Sequence, residues 1–416
     1  MRRFLASVLL CLSGPALAQA PDGLGLPPGF HAEVVADGLA GARHIAVRAN
    51  GDIYISTNTP GGQKPLGIYA LRPGADHTAR AVSFSTVTGG TGIRIRDGAL
   101  YAANGTTVWR FDFHGDELVP TAPPRTVVAG MADENNRNRI LAFDGAGNLY
   151  IALSGTGNNA CAIGGSRGKV GPRPCPELKD RAGIWRFPAN RMNLKFSDGE
   201  RFATGNRNMT ALQWLPQQKA LYGVFHERDL THELWPDLAS EQDDNNIGEG
   251  LYRVTKDTDF GWPYSYYDGV RNIRLVAPEY GGDGRKVIPP GRYATPAFNF
   301  VSEKGRGAPT DMLFAATPAW PATWRNGFFF VRHGGLGDDR PGGYAGYDIL
   351  FLPMAADGTP GKPAVFADGF AGPSDDDKTR RRAAYRPVGM AQAPDGALYV
   401  VDSNKGRLWR IAYTGN

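Results

Sequence analysis

The chain has 416 residues, of which 42% are hydrophobic and 21% charged, with 46 Lys and Arg against 41 Asp and Glu. That length buries a sizeable core, and a formal charge of +5 without a basic stripe interleaved with aromatics argues against a nucleic-acid partner. With 55 Gly, 31 Pro and no long stretch of clean helical period, the chain reads as turn-rich and built from strands.

Residues 1–20 read as a secretory signal: Arg2-Arg3, an apolar run from Phe4 to Leu12, then Ala16-Leu17-Ala18 before Gln19-Ala20. The run is too short to span a bilayer, and no later stretch approaches ~20 apolar residues, so no transmembrane segment is expected. Secretion, into a bacterial periplasm, is the expected address, and residues 21–416 are expected to form one domain. Removing the signal takes away two arginines and lowers the formal charge to +3, and it removes Cys11, leaving Cys161 and Cys175. In an oxidising compartment two cysteines in one loop are most simply a disulfide, worth roughly 3 kcal/mol for a loop of about 15 residues.

From residue 52 onward one strand type recurs six times, at 52–56, 98–102, 148–152, 220–224, 327–331 and 396–400. Each is followed by a second type centred on Tyr69, Trp109, Trp185, Tyr252, Leu350 and Trp409. Units this small cannot bury their own apolar face, so they must stack into a continuous core. Short aromatic and β-branched strands between Gly, Asp and Asn turns predict an all-β, six-bladed β-propeller of four-stranded antiparallel blades. Inner strands are expected just before each first-type strand, at 44–47, 92–95, 139–143, 210–214, 311–314 and 387–391. No outer strand follows the last repeat, so segment 30–36 is expected to close the ring.

In such a meander the second-to-third and outer-to-inner connections share one face. The long connections 154–182, 226–249, 256–310 (read as outer-to-inner) and 333–347 all fall there, which makes that face the default site. Asp133-Glu134-Asn135-Asn136-Arg137-Asn138-Arg139, Asn206-Arg207-Asn208, His226-Glu227-Arg228-Asp229, Arg332-His333 and Tyr385-Arg386 put guanidiniums, amides and imidazoles around the axial mouth. Guanidinium forks suit carboxylates, so an anionic polycarboxylate ligand is chemically sensible.

At these residues the chain resembles the secreted quinoprotein sugar dehydrogenases, of the sorbosone/pyranose dehydrogenase-like branch related to soluble glucose dehydrogenase. Leu26-Pro27-Pro28-Gly29-Phe30, Glu227-Arg228-Asp229, Phe260-Gly261-Trp262-Pro263-Tyr264 and Arg386-Pro387-Val388-Gly389 carry the resemblance. It implies pyrroloquinoline quinone (PQQ) and calcium at the axis, a small sugar substrate oxidised by hydride transfer, and an electron acceptor such as a cytochrome or a quinone. It further implies that Arg207, Asn208, His333 and Arg386 hold the cofactor, that Arg207 and Asn136 stand at the catalytic positions, and that Glu227 and Arg228 offer calcium their backbone carbonyls. Where the family has a histidine that takes the hydroxyl proton, this chain reads Asn135-Asn136-Arg137-Asn138-Arg139, and asparagine cannot take a proton near neutral pH. Asp133, Glu134, His226 or His333 would then substitute as base. The alternatives are a noncatalytic propeller that binds a carbohydrate or anionic ligand, and a metal-dependent lactonase, for which Glu227 alone is thin support.

Overall fold

The computed structural model describes residues 23–59, 64–87, 89–133, 138–156, 159–161, 168–315, 317–335 and 340–415, together with the Ala18–Gln19 strand. Most of the segment read as a secretory signal, and the stretch Glu134, Asn135, Asn136 and Arg137, lie outside the described residues. Six four-stranded antiparallel blades follow one another around an axis, and in the first five the strands run in sequence order from inner to outer. The inner strands are Ala42–Val47, Ile93–Arg96, Arg139–Phe143, Asn208–Leu215, Pro309–Ala315 and Pro387–Gln392. Phe30–Ala36 pairs with Leu408–Tyr413 as the outer strand of the sixth blade, so the first and last strands close the ring. Arg410 clamps that closure by donating to Glu33 Oε1 at 2.7 Å.

The core is a ring of blade-to-blade interfaces. Tyr54 of the first blade packs with Ile93 and Leu100 of the second, and Tyr150 of the third with Leu212 and Leu221 of the fourth. Phe328 and Phe330 of the fifth blade meet Tyr222 and Val224 of the fourth. Second strands such as Ile53–Thr57 are buried on both faces, because each blade lies between two others. That explains why these strands read as apolar runs rather than as alternation. The buried Tyr54 hydroxyl is satisfied by the Leu118 carbonyl of the next blade at 2.7 Å.

Two details depart from the sequence reading. The second and third blades carry a fifth, parallel strand, Leu194–Lys195 and Thr258–Asp259, each lent by the chain of the following blade to cover an outer edge. Within 256–310, the outer strand of the fourth blade is Phe298–Phe300, so the long excursion joins the third strand to the outer one rather than outer to inner. It still reaches the expected face. Thr258–Asp259 runs parallel to Glu200–Thr204, which itself leads to that face, and the chain continues through Gly261-Trp262 into the hairpin Ser265–Asp268 and Ile273–Val276. Gly261 takes φ +93°, and a side chain there would lie 2.3 Å from Ser265 Oγ, so this turn admits only glycine.

Cys161 and Cys175 are bonded, with Cα atoms 5.7 Å apart. The loop itself is poor in apolar residues, yet the bond is buried among Trp262, Tyr266, Leu275 and Tyr280 supplied by the excursion. Thiol titration of denatured, unreduced mature protein should therefore find no free thiol, and finding two would refute the bond. No helix among the described residues is long and apolar enough to cross a membrane. The two short α-helices, Thr231–Leu234 and Glu241–Asn246, sit in the fourth blade's second-to-third connection at the loop-rich face.

Candidate active site

At the loop-rich face the inner strands do not start regularly. Register breaks occur between Ala42 and Ile45, Met209 and Ala211, Pro309 and Asp311, and Pro387 and Gly389. Each β-bulge inserts residues that have no partner across the pair, and a bulge re-aims side chains. The residues inserted are Arg43 and His44, Thr210, Thr310 and Val388, and all of them line one axial cavity of about 300 Å³. Asn138, Asn208 and His226 complete its polar wall. Gly389 is required by the close approach of blades: a Cβ there would stand 2.1 Å from the Arg43 carbonyl oxygen.

Backbone carbonyls released by the bulges are capped by side chains around the axis. Thr210 Oγ1 donates to Pro309 O at 2.8 Å and Thr310 Oγ1 to Val388 O at 2.9 Å. His226 Nε2 lies 3.0 Å from Pro309 O, and His44 Nε2 lies 2.9 Å from Thr310 O. A carbonyl only accepts, so each ring carries its proton on Nε2 and keeps an acceptor lone pair on Nδ1. Burial, then the Arg207 charge, push the His226 pKa down to about 4. His333, whose Nε2 lies 2.8 Å from Ser403 Oγ, is held well below the ordinary imidazole value by burial and by Arg386 and Arg43. Both imidazoles are neutral at physiological pH.

Positive charge is in excess at this mouth. Among the described residues no hydrogen bond or ion pair engages the Arg43 guanidinium, which lines the cavity. Burial, then the neighbouring charge of Arg386, lower its pKa. Arg386 spends its own donors on carbonyls, from Nη2 to Gly334 O at 3.0 Å and from Nε to His333 O at 3.3 Å, and so holds the turn that carries His333. A half-buried cation with no counter-charge among the described residues, beside a second guanidinium, favours an anion. A small polycarboxylate such as PQQ fits this donor set.

Calcium fits poorly. Arg207 Nη1 donates to the Glu227 carbonyl at 2.9 Å, and its Nη2 holds both oxygens of Asp229 at 2.8 and 2.9 Å. Arg306 Nη1 also reaches the Glu227 carbonyl, at 3.2 Å, and its Nη2 donates to the Arg228 carbonyl. Both carbonyl oxygens expected at the metal thus accept from guanidiniums. Among the described residues no group of three or more His, Cys, Asp or Glu side chains is placed to hold a metal.

The sequence-expected residues therefore divide. Asn208 lines the cavity, with Oδ1 accepting from Asn138 Nδ2 at 2.9 Å and Ser154 Oγ at 3.1 Å. Arg207 lies just outside it, fixing the turn from Glu227 to Asp229. The Glu227 carboxylate is buried and accepts from Tyr252 Oη at 2.5 Å. The Arg228 side chain forms a buried bidentate pair with Glu279 at 2.7 and 2.9 Å, tying the fourth blade's loop to the excursion. Asn136 and Glu134 lie outside the described residues, and Asp133 is exposed. Of the three described residues among the substitute bases expected from sequence, Asp133, His226 and His333, it is His226 that lines the cavity. Arg43 and Arg306 were not foreseen. Arg43 stands at the start of an inner strand, as Arg207 and Arg386 stand just before theirs, and that similar placement was the available signal.

The His226 shift has a stability consequence. The unfolded chain takes up a proton near pH 6.5 and the folded one only near pH 4, so stability is lost as pH falls through that window. The full shift corresponds to about 3 kcal/mol at most. The drop in urea midpoint from pH 7.5 to pH 5 should be visibly smaller in His226→Gln than in wild type, and equal drops would remove this ring from the account.

Comparison with known proteins decides the family. A family model described as TrAA12-like matches residues 24–266, more than half of the chain. The chain belongs to the TrAA12-like family. The holo form of the pyranose dehydrogenase PQQ domain from Coprinopsis cinerea superposes with a TM-score of 0.73 at 17% identity, over 95% of this chain and 98% of that one. The calcium structure of Trichoderma reesei Carbohydrate-Active Enzymes Family AA12 gives 0.72 at 15% identity, over 97% and 98%. The PQQ-bound aldose sugar dehydrogenase from Streptomyces coelicolor gives 0.56 at 16% identity, over 93% and 99%. No curated protein matches the chain. At such identities the solved structures speak for the fold, and the family match spans the resemblance carried by Leu26-Pro27-Pro28-Gly29-Phe30, Glu227-Arg228-Asp229 and Gly261-Trp262-Pro263.

Proposed function

We propose that this TrAA12-like protein is a secreted, periplasmic quinoprotein dehydrogenase that oxidises a sugar or related alcohol or aldehyde, of the sorbosone or glucose type. The observation that carries this reading is the axial cavity walled by bulged inner strands, where Arg43 has no anionic partner among the described residues and Arg386 adjoins it. The names of its structural neighbours, a pyranose dehydrogenase and an aldose sugar dehydrogenase with PQQ, support the same chemistry.

Bound here, PQQ supplies the hydride-accepting carbonyl chemistry. The protein binds its carboxylates through Arg43, beside which lie Arg386 and His333, and Asn208 and Asn138 offer amide donors and acceptors across the cavity. Arg207 acts at one remove, as a positioning residue for His226 and the Glu227 turn. His226, whose Nε2 is engaged by the Pro309 carbonyl, would take the hydroxyl proton of the substrate on Nδ1. The low pKa keeps that nitrogen unprotonated, and an anion bound at Arg43 raises its proton affinity. An external acceptor such as a cytochrome or a quinone would then take the electrons.

Titrating the mature protein with PQQ by absorbance, then measuring dye reduction across a panel of sugars, tests this reading. Saturable quinone binding with sugar-dependent dye reduction is expected. Sugar binding without quinone binding would favour the noncatalytic propeller.

A further inference from the structure

We propose that the Arg306 guanidinium occupies the position of a divalent cation at the axial mouth, so that this chain binds its anionic ligand without calcium. The inference rests on the quinone-binding reading for its ligand, but its first experimental arm does not.

Three observations carry it. The two carbonyl oxygens that a calcium ion would need, those of Glu227 and Arg228, both accept from Arg306. The surroundings are those of a cation slot: Glu227 and Glu249 are carboxylates buried to 4% and 1% exposure beside Arg306. Glu249 Oε2 has no hydrogen-bond partner among the described residues, so this carboxylate depends on nearby positive charge. The arm that carries Arg306 is fastened on both sides. Ala345 N donates to Lys304 O at 3.2 Å, Gly334 N to Gly307 O at 2.9 Å and His333 N to Ala308 O at 2.9 Å. The guanidinium is thus held in place by the same turn that Arg386 anchors.

A guanidinium and a calcium ion cannot share these oxygens. Calcium requires lone pairs at 2.3–2.6 Å in a shell of six to eight oxygens, and a second cation at hydrogen-bond distance adds like-charge repulsion. Arg306 is always charged, so it places positive charge at these two carbonyls without a binding equilibrium of its own.

The first arm uses calcium alone, in equilibrium dialysis of the full mature chain. Wild type should bind no stoichiometric calcium at millimolar concentration, and Arg306→Ala should acquire one site. One equivalent bound by wild type overturns the proposal. So does none in either protein, because the position would then not be a cation slot. The second arm titrates PQQ in EGTA and in calcium. Wild-type affinity should be the same in both. Arg306→Ala in EGTA should be weaker by about 10- to 100-fold, the worth of a charge-assisted hydrogen bond, with calcium restoring part of it. Arg306→Lys keeps the charge and serves if the alanine variant does not fold; it should remain calcium-independent. Wild-type binding that collapses in EGTA refutes the inference. Absence of quinone binding under every condition refutes the dehydrogenase reading instead, and the calcium arm still decides the role of Arg306.

Discussion

Arg43→Ala should weaken PQQ binding by about 10²-fold or more, measured by fluorescence quenching or calorimetry, while leaving the fold intact. Truncating one partner of a buried charge pair costs about 2–5 kcal/mol, and among the described residues no anion is paired with Arg43. The free protein should gain stability from the change, because it no longer confines a charge that burial and Arg386 already disfavour. Arg43→Lys should recover part of the affinity at most, since a point charge cannot reproduce a planar fork. Arg386→Ala should also weaken binding, but through release of the His333–Gly335 carbonyls, and hence together with a loss of stability. Arg207→Ala should act mainly on stability, as its donors are committed to Asp229 and the Glu227 carbonyl. Unchanged affinity in Arg43→Ala, with binding abolished in Arg207→Ala, would place the anion on the other side of the mouth.

That ordering reverses the expectation from sequence, and the reason is physical. The blades were legible because period, aromatic content and turn chemistry recur six times and each local choice agrees with the whole. Even the closing strand Phe30–Ala36 followed from counting strands. Period alone cannot show where an inner strand breaks register. The bulges that send Arg43, His44, Thr210, Thr310 and Val388 into the cavity leave no mark in an alternating pattern. Arg306 lies in Ser302-Glu303-Lys304-Gly305-Arg306-Gly307, a turn sequence without periodicity, and its partners Glu227 and Arg228 are 79 and 78 positions away. The excursion after the fourth blade was assigned to the wrong connection because its outer strand, Phe298–Phe300, is only three residues long. The cover of the disulfide came from that same excursion, so a loop that looks unsupported in sequence is buried in space.

His226→Gln should lower kcat for sugar oxidation by about 10²–10⁴-fold, the usual worth of a positioned general base, with PQQ affinity nearly unchanged. Glutamine keeps a donor for the Pro309 carbonyl, so the wall of the cavity survives while the Nδ1 lone pair is lost. The pH profile separates this role from a structural one. In wild type, kcat should fall on the acid side with the apparent pKa of His226, which is about 4 in the empty site and higher once an anion binds at Arg43. In the variant that limb should disappear. Solvent buffers of small imidazoles should restore part of the rate if the cavity admits them. The third blade supplies the control. Asn138 reaches the cavity but its amide is bonded to Asn208, and Asn136, the position first expected to face the cofactor, precedes it by two residues. If His226 is the base, Asn136→His adds little to wild type yet should rescue His226→Gln, because the resemblance gives position 136 to the family's base. Feeble wild-type turnover that rises sharply in Asn136→His, with no response to His226→Gln, would mean that the base was lost and not replaced. Sugar binding that persists with no turnover in any of these proteins would leave the propeller a binding module, with Arg43 holding an anion that it does not help to reduce.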